Sequence, residues 1–253
     1  MNKIDILIKG DKFGDFISKL EDLAKINDVV RIQINNEDIY VYSVIGDPII
    51  QAFKNFILKT DDYFDIKLDD DKTLELTISD IKKFIKKTNF IDTSLKPKMS
   101  LHIKEDDDFL KMRYLEIKSG KFKLQSKASD DIKDITRQML SKVTDKKNKR
   151  WSFNLDKGTF QSIKKLSNIS SDSKVIDVSI TKGKIIMSEV SNWELEIDDI
   201  DSDNKNFLFD KKYLSCINEM ENIEFNIFDT FILIEDRGSN LMISYEQDFS
   251  SDN

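Results

Sequence analysis

Four times along the chain, a short stretch of alternating apolar and polar residues passes directly into one whose apolar residues recur at i, i+3, i+4 and i+7. Three further short apolar runs then follow. Alternation is the period of a half-buried strand, and the second spacing lays one apolar stripe along a helix. The pattern predicts strand–helix–strand–strand–strand, repeated four times, with units starting near residues 3, 73, 150 and 205.

The first unit opens with KIDILIK (3–9). A helix over 11–26 buries Phe13, Phe16, Ile17, Leu20, Leu23 and Ala24, and strands follow at 29–34, 38–44 and 49–58. INNEDI, between the first two of these strands, reads as a hairpin turn. The second unit has a strand at 73–78, then a helix at 79–91 with Ser79 as its N-cap and Ile81, Phe84 and Ile85 as its apolar face. Its strands are 98–104, 109–117 and 121–127. The third has a strand at 150–155 and a helix at 156–169 that opens at Asp156 and buries Phe160, Ile163, Leu166 and Ile169. Strands at 174–180, 184–190 and 193–198 complete it, with TKG as a hairpin turn. The fourth has a strand at 205–209, a helix at 210–221 opening at Asp210, and strands at 223–228, 231–236 and 241–247.

Little residue identity links the units, so the repeat is one of pattern rather than of sequence. Residues 128–149 are the most polar and least strand-like stretch. They predict an N-terminal domain over 1–127, a connector over 128–149 and a C-terminal domain over 150–253. Short helices that each leave a strand and precede antiparallel strands imply an α+β protein, with sheets on one side and helices on the other.

Composition changes this picture in two ways. Hydrophobic residues make up 39% of the 253, enough for a core, while the charged fraction of 34% forces a charged surface. The net charge of −7 argues against a nucleic-acid partner only if it is evenly spread. It is not: the helix at 79–91 carries Lys82, Lys83, Lys86 and Lys87 against Asp80 alone. At 100° per residue, Lys83 and Lys86 lie almost opposite its apolar face. One cysteine, Cys216, fits a reducing compartment. Neither a signal peptide nor an apolar run of about 18 residues is seen, so the expectation is a soluble intracellular protein without a membrane partner.

Two phrases carry a resemblance beyond the pattern: KVIDVSITKGKII (174–186) and YLSCINEMENIEFNIFDTFILIEDRGSNLMISYE (213–246). With the fourfold architecture, which covers nearly the whole chain, they make it resemble the DNA sliding clamps of replication. It is most similar to the two-domain type, the tailed-phage clamps and the proliferating cell nuclear antigen family. The length fits two domains rather than the three of the bacterial type. The resemblance implies a clamp fold of four units in two domains, assembled as a homotrimeric ring with sheets outside and helices inside. Duplex DNA would pass through the hole, held by non-specific phosphate contacts. The ring would be placed by a clamp loader and would tether DNA polymerase. No cofactor is implied.

On that resemblance the helices face DNA. The DNA-binding candidates are Lys82, Lys83, Lys86, Lys87, Lys157, Lys164 and Lys165, with Lys25, Lys211 and Lys212. The helices at 79–91 and 156–169 carry net +3 and +2, and those at 11–26 and 210–221 carry −1 each, so the remainder of the chain carries −10. The second and third helices are therefore the main expected phosphate contacts. The plainer alternative is that these lysines form ordinary solvated helix faces.

In clamps the last strand of the first domain pairs with a strand of the neighbouring subunit's second domain. Those positions fall on 121–127, with Lys121, Lys123 and Lys127, and on 193–198, with Trp193, Glu194, Glu196 and Asp198. Opposite charges across paired strands contribute roughly 0.2–1 kcal/mol each. The alternative is two ordinary solvent faces. The partner-peptide pocket of clamps maps onto Val44, Ile45, Ile132, Ile135, Met139 and Tyr245, for each of which core packing is the alternative.

No catalytic set can be named. DIDSDNKNFLFD (199–210) spaces its aspartates like a calcium loop, but it has Asn204 where that loop needs Gly and Asp210 where it needs Glu. KEDDDF (104–109) reads as a charged hairpin turn, and the only histidine, His102, cannot form a metal cluster alone. There is no phosphate-binding GxxxxGK[ST] loop. The expectation is a non-enzyme without a metal site. Two other functions stay open: a non-ring processivity subunit, monomeric or dimeric, and a clamp-like scaffold that binds no DNA. The expected compartment is the cytoplasm (a host's, if the source is a phage, as the Lys/Asn/Ile-rich composition suggests) or the nucleus in a eukaryote.

Overall fold

All sixteen strands that the sequence pattern predicts are present, with ends displaced by up to three residues. The structure is a computed structural model. It describes residues 2–46, 49–69, 72–95, 97–106, 109–127, 135–169, 173–189, 193–199, 205–218, 220–236 and 238–247. The chain divides into two compact units, one of residues 1–47 and 53–134, the other of 48–52 and 135–253.

The first unit contains β1 (Asn2–Ile8), α1 (Gly10–Leu23), β2 (Val29–Ile34), β3 (Asp38–Ile45), β4 (Ala52–Lys59), α2 (Thr60–Tyr63) and β5 (Phe64–Asp65). It continues with β6 (Thr73–Ser79), α3 (Ile81–Thr88), β7 (Lys98–Asp106), β8 (Phe109–Ser119) and β9 (Phe122–Lys127). Its strands run in the order β4-β3-β2-β6-β8-β7-β1-β5. β8 is shared along its length: residues 109–111 pair in parallel with β6, and residues 114–119 pair with β9. α1 and α3 pack beside each other. Their apolar stripes, including Phe16, Leu20, Ile81 and Phe84, meet Ile32, Leu76, Ile78 and Leu115 of the sheet in one buried core.

The second unit contains α4 (Arg137–Val143), β10 (Trp151–Asp156), α5 (Lys157–Ile169), β11 (Val175–Thr181), β12 (Lys184–Glu189) and β13 (Trp193–Asp199). Then come β14 (Lys205–Asp210), a 3₁₀ helix (Lys211–Cys216), β15 (Asn222–Ile227), β16 (Phe231–Asp236), β17 (Ser239–Ser244) and β18 (Glu246–Gln247). Strands β10-β15-β16-β17 are neighbours in one order and β13-β12-β11-β14-β18 in another. The β11–β12 hairpin turns at Lys182 and Gly183, both with positive φ (52° and 76°), the backbone that a two-residue hairpin of right-handed twist requires.

The two repeats within each unit exchange their opening strands. β1 opens the first repeat but pairs with β7 of the second, while β6 opens the second and pairs with β2 of the first. In the second unit β10 pairs with β15, and β14 pairs with β11. Neither repeat of a unit therefore has its sheet complete without the other.

Three helices differ from expectation. α3 begins at Ile81, because Asp80 takes a left-handed conformation (φ 52°) that ends β6, and Ser79 makes no cap. The fourth helix is only the 3₁₀ segment at Lys211–Cys216, opened by the Asp210 carboxylate accepting the Lys212 N–H at 2.9 Å. Residues three apart eclipse in a 3₁₀ helix, so Tyr213 and Cys216 both enter the core. Ile217 then turns extended. In α5, Phe160 and Ile163 are buried as expected, but Leu166 is half-buried and Ile169 is 82% exposed. Within the stretch read as a connector, α4 forms with Thr136 as its N-cap, while residues 128–134 lie outside the described residues.

Candidate nucleic-acid interface

α3 is amphipathic in the strict sense: Ile81, Phe84, Ile85 and Thr88 are buried, and Lys82, Lys83, Lys86 and Lys87 are all exposed. None of the four lysines forms an ion pair with the described residues, so their charges add rather than cancel. The helix is fixed at its start from outside its own sequence. Asp28 accepts the Ile81 N–H through its carbonyl at 3.1 Å and the Lys82 N–H through its carboxylate at 3.0 Å. The sequence pointed to Ser79 for this task; Asp28 is distant in the chain, and nothing local signals it.

Lys83 and Lys87 line a groove whose other wall is the end of β9, including Gln125, Ser126 and Lys127. Lys127, expected at a subunit contact, thus stands beside the lysines of α3. Asp80 is the acidic side chain in this groove.

The other candidate cations are more engaged. Lys25 pairs with Asp22 at 2.6 Å, and Lys212 pairs with Asp210 at 2.7 Å. Lys157 stands 3.9 Å from Glu221, and the Lys164 ammonium is 5.5 Å from the Phe160 ring centre. Lys165 is exposed on α5. Lys211 differs from the rest. Its ammonium is 2.9 Å from the fully buried Glu189 carboxylate and donates to the Ser167 carbonyl at 3.2 Å. Trp193 Nε1–H donates to the second Glu189 oxygen at 3.0 Å. A buried carboxylate needs such a cation, so Lys211 is a structural counter-ion rather than an open phosphate ligand.

β9 and β13 each pair with a single neighbour among the described strands, which leaves one edge of each unpaired. Along β9, Lys123, Gln125 and Lys127 are exposed on one side of the alternation, and Lys121 is exposed just before it. Along β13, Glu194 and Glu196 are exposed while Trp193, Leu195 and Ile197 are half-buried. Two of these charges already have partners within the chain: Lys123 with Glu116 at 2.5 Å, and Glu196 with Lys184 at 2.6 Å. Glu116 also binds Lys118 at 2.9 Å and Gln125 at 3.0 Å. Hydrogen bonds from Lys123 and Lys118 pull its pKa down to about 2. Near the start of β9, two large apolar side chains are exposed, Phe90 (72%) and Leu95 (54%). Phe90 lies 6.1 Å from the Phe122 ring, and Leu95 lies over Gly120. Sequence reading missed both; an unburied Phe just past the end of an amphipathic helix was the only signal.

Of the expected partner pocket, Val44 and Ile135 are buried, Ile45 is half-buried, and only Met139 exposes a large apolar side chain. The Tyr245 hydroxyl donates to the Phe228 carbonyl, and its ring packs 4.9 Å from Phe207. Val44 and Ile45 belong to the first unit, and Ile135, Met139 and Tyr245 to the second. Ile132 and the Asp198 side chain lie outside the described residues, as do residues 200–204 of the acidic loop. His102 stacks on Tyr114 at 4.0 Å, and Cys216 is buried. Among the described residues no His, Cys, Asp and Glu side chains group as a metal site, and no helix is long and apolar enough to cross a membrane.

The sequence matches no family model, and no curated protein is similar to it. Solved structures are. The β chain of DNA polymerase III from Streptococcus pneumoniae matches with a TM-score of 0.65 at 13% identity, over 98% of this chain and 66% of that one. The β clamp of Helicobacter pylori bound to a DNA ligase peptide matches with a TM-score of 0.65 at 15% identity, over 99% of this chain and 68% of that one. The PCNA2–PCNA3 complex of Sulfolobus tokodaii matches with a TM-score of 0.59 at 11% identity, over 97% of this chain and 99% of that one. The chain thus spans about two thirds of the bacterial proteins and nearly all of the archaeal one. In its repeats, its sheets and its helices, the chain has the fold of the DNA sliding clamps.

Proposed function

We propose that this chain is a sliding clamp, a non-enzymatic processivity factor that encircles duplex DNA and tethers a polymerase. The observation that carries the reading is the unpaired lysine face of α3 on a clamp fold. Lysines that meet phosphates supply affinity without sequence information, so the ring can slide while enclosure prevents loss. The acidic remainder of the chain disfavours DNA on other surfaces.

The ring is a homotrimer on this reading, closed by β9 of one copy against β13 of the next. Support comes from the two unpaired edges, the opposite charges of Lys121 and Glu194, and the exposed side chains of Phe90 and Leu95. An open edge strand tends to pair with another chain, and a head-to-tail contact closes if its rotation is right. Partner peptides, of polymerase or loader, dock near the exposed Met139 of α4; the ligase peptide on the Helicobacter clamp supports this class of partner. The protein works wherever the replicating DNA lies, which for the phage origin favoured by composition is the host cytoplasm.

A non-ring subunit is the second reading. The observation favouring it is that Lys123 and Glu196 are already paired within the chain, which weakens the contact between copies. Native mass spectrometry separates the two, the ring predicting three times 29.5 kDa. The function itself is tested by loading the protein on nicked circular and on linear duplex DNA. Retention on the circle with rapid loss from linear ends is expected, and equal loss from both would sink the enclosing ring.

A further inference from the structure

Among the described strands β13 pairs only with β12, and its own apolar pattern holds it weakly. Its inward side chains, Trp193, Leu195 and Ile197, are only half-buried, whereas Ile176, Val178 and Ile180 of β11 are fully buried. One end of the strand is also irregular. The register of β12 on β13 shifts between Ile185 and Ile186, which leaves Ile197 without an opposite residue. Because side chains alternate along a strand, a slip of one residue would turn Glu194 and Glu196 toward the core and Trp193 toward solvent.

At the other end the register is held by a bond between side chains. Glu189 and Trp193 are direct cross-strand partners. The Trp193 indole N–H donates to one oxygen of the Glu189 carboxylate at 3.0 Å, and the Lys211 ammonium is 2.9 Å from the other oxygen. Lys211 is tied in turn to α5, donating to the Ser167 carbonyl at 3.2 Å, and its backbone N–H donates to the Lys174 carbonyl at 2.9 Å. The Glu189 side chain is fully buried. A buried ion pair is weak evidence of stability, because apolar residues of similar volume often serve as well; its best-attested use is to single out one register. Here the carboxylate is anchored from the helix side and engages the strand through one indole, so a slipped β13 would lose the bond.

We propose that Glu189 is a positioning residue for self-association: anchored by Lys211, it locks the register of β13 through Trp193, so that the free edge presents Glu194 and Glu196 outward to a second copy of this chain. The proposal rests on the reading of β13 as the edge where copies meet. Glu189 itself lies on β12, between β13 and β11, and acts on that edge only through Trp193.

The test compares the full chain as wild type, E189L/K211M, W193F and E194K/E196K. Native mass spectrometry over a concentration series gives the strength of self-association. Hydrogen exchange on the diluted chain gives the protection of the β13 amides. E189L/K211M has neither buried charge nor indole acceptor. It should retain most of the stability of the fold, yet exchange its β13 amides about tenfold faster, the size of one hydrogen bond to a charged group, and self-associate more weakly by about the same factor. The amides of β11 and β14 should exchange as in wild type. W193F, which keeps the ion pair and an aromatic ring but loses the donor, should show both changes whatever the stability of the double variant. An ion pair that merely supported the fold would leave self-association of a stable E189L/K211M at the wild-type value. A change confined to W193F would also overturn the lock, since it would trace to Trp193 touching the second copy. If E189L/K211M and W193F exchange and assemble like wild type while E194K/E196K comes apart, the lock is wrong and the edge reading stands. If the wild type is a single chain, or E194K/E196K assembles unchanged, copies do not meet at β13 and the proposal falls with that reading.

Discussion

The Asp28 carboxylate accepts the backbone N–H of Lys82 at 3.0 Å, bridging 54 residues of chain to fix the start of the lysine-bearing helix. An N-cap of this kind contributes about 1 kcal/mol, so Asp28→Ala should lower stability by that amount. Hydrogen exchange of the first-turn amides of α3 should quicken with it. Ser79→Ala, by contrast, should change stability by less than about 0.5 kcal/mol, since Ser79 makes no cap. Urea denaturation of both variants checks the assignment.

Lys211 and Glu189 should behave as a buried pair rather than as a surface one. Lys211→Ala leaves a fully buried carboxylate without its cation, a change that costs roughly 3–5 kcal/mol. Lys165→Ala, on the exposed face of the same region, should fall within about 0.5 kcal/mol of wild type. The double variant Lys211→Met/Glu189→Leu should recover most of the loss. Thermal and chemical denaturation would show the opposite ranking if Lys211 were merely a solvated surface lysine.

Neutralising Lys82, Lys83, Lys86 and Lys87 to Gln should reduce the salt slope of duplex binding by about three to four, at about 0.9 for each phosphate that is no longer neutralised. The fold should be unchanged, because all four side chains are exposed and unpaired. Self-association should also be unchanged. A variant that still loads on DNA and supports processive synthesis would exclude α3 from the channel.

Self-association should depend on Phe90 and on the β13 edge. Phe90→Ser removes most of a 72%-exposed aromatic side chain near the start of β9 and should shift the oligomer toward single chains. Charge reversal at Glu194 and Glu196 should act in the same direction, and a compensating reversal at Lys121 should restore part of it. Native mass spectrometry reads the distribution directly; an oligomer indifferent to all three changes would place the contact elsewhere.

Acid should remove a defined increment of stability through Glu116. Its pKa in the folded chain is about 2, against an ordinary value of 4.5, because Lys123 and Lys118 hydrogen-bond the ionised form. A depressed carboxyl pKa stabilises the fold above the unfolded value, and that contribution is lost as pH falls toward the folded one. The wild-type urea midpoint should therefore decline between pH 4.5 and pH 2 more steeply than that of Glu116→Gln, with the two converging near pH 2.

Much of this protein is encoded in local periodicity. Alternation together with short apolar runs placed every strand of the repeats, and the helical stripe of Phe13, Phe16, Ile17 and Leu20 named the buried face of α1. The exposed lysines of α3 followed from the same rule, since Ile81, Phe84 and Ile85 fix which side faces the sheet. These features depend on residues a few positions apart, whose spacing is set by helix and strand geometry.

Four features were decided only by the folded chain. The exchange of opening strands, β1 onto β7 and β6 onto β2, depends on which edges meet after the helices cross, and alternation is blind to pairing partner. The cap on α3 comes from Asp28, brought near when β2 pairs with β6. The fourth helix shrank to a 3₁₀ turn because Tyr213, Leu214, Cys216 and Ile217 could all be buried without a full helix. Lys211 looked like its neighbour Lys212 in sequence, yet a carboxylate 22 residues away took its charge, whereas Lys212 stays exposed. Spacing along the chain determines which face a residue occupies; which partner it finds there is determined by contacts between segments that approach each other only when the sheet is complete.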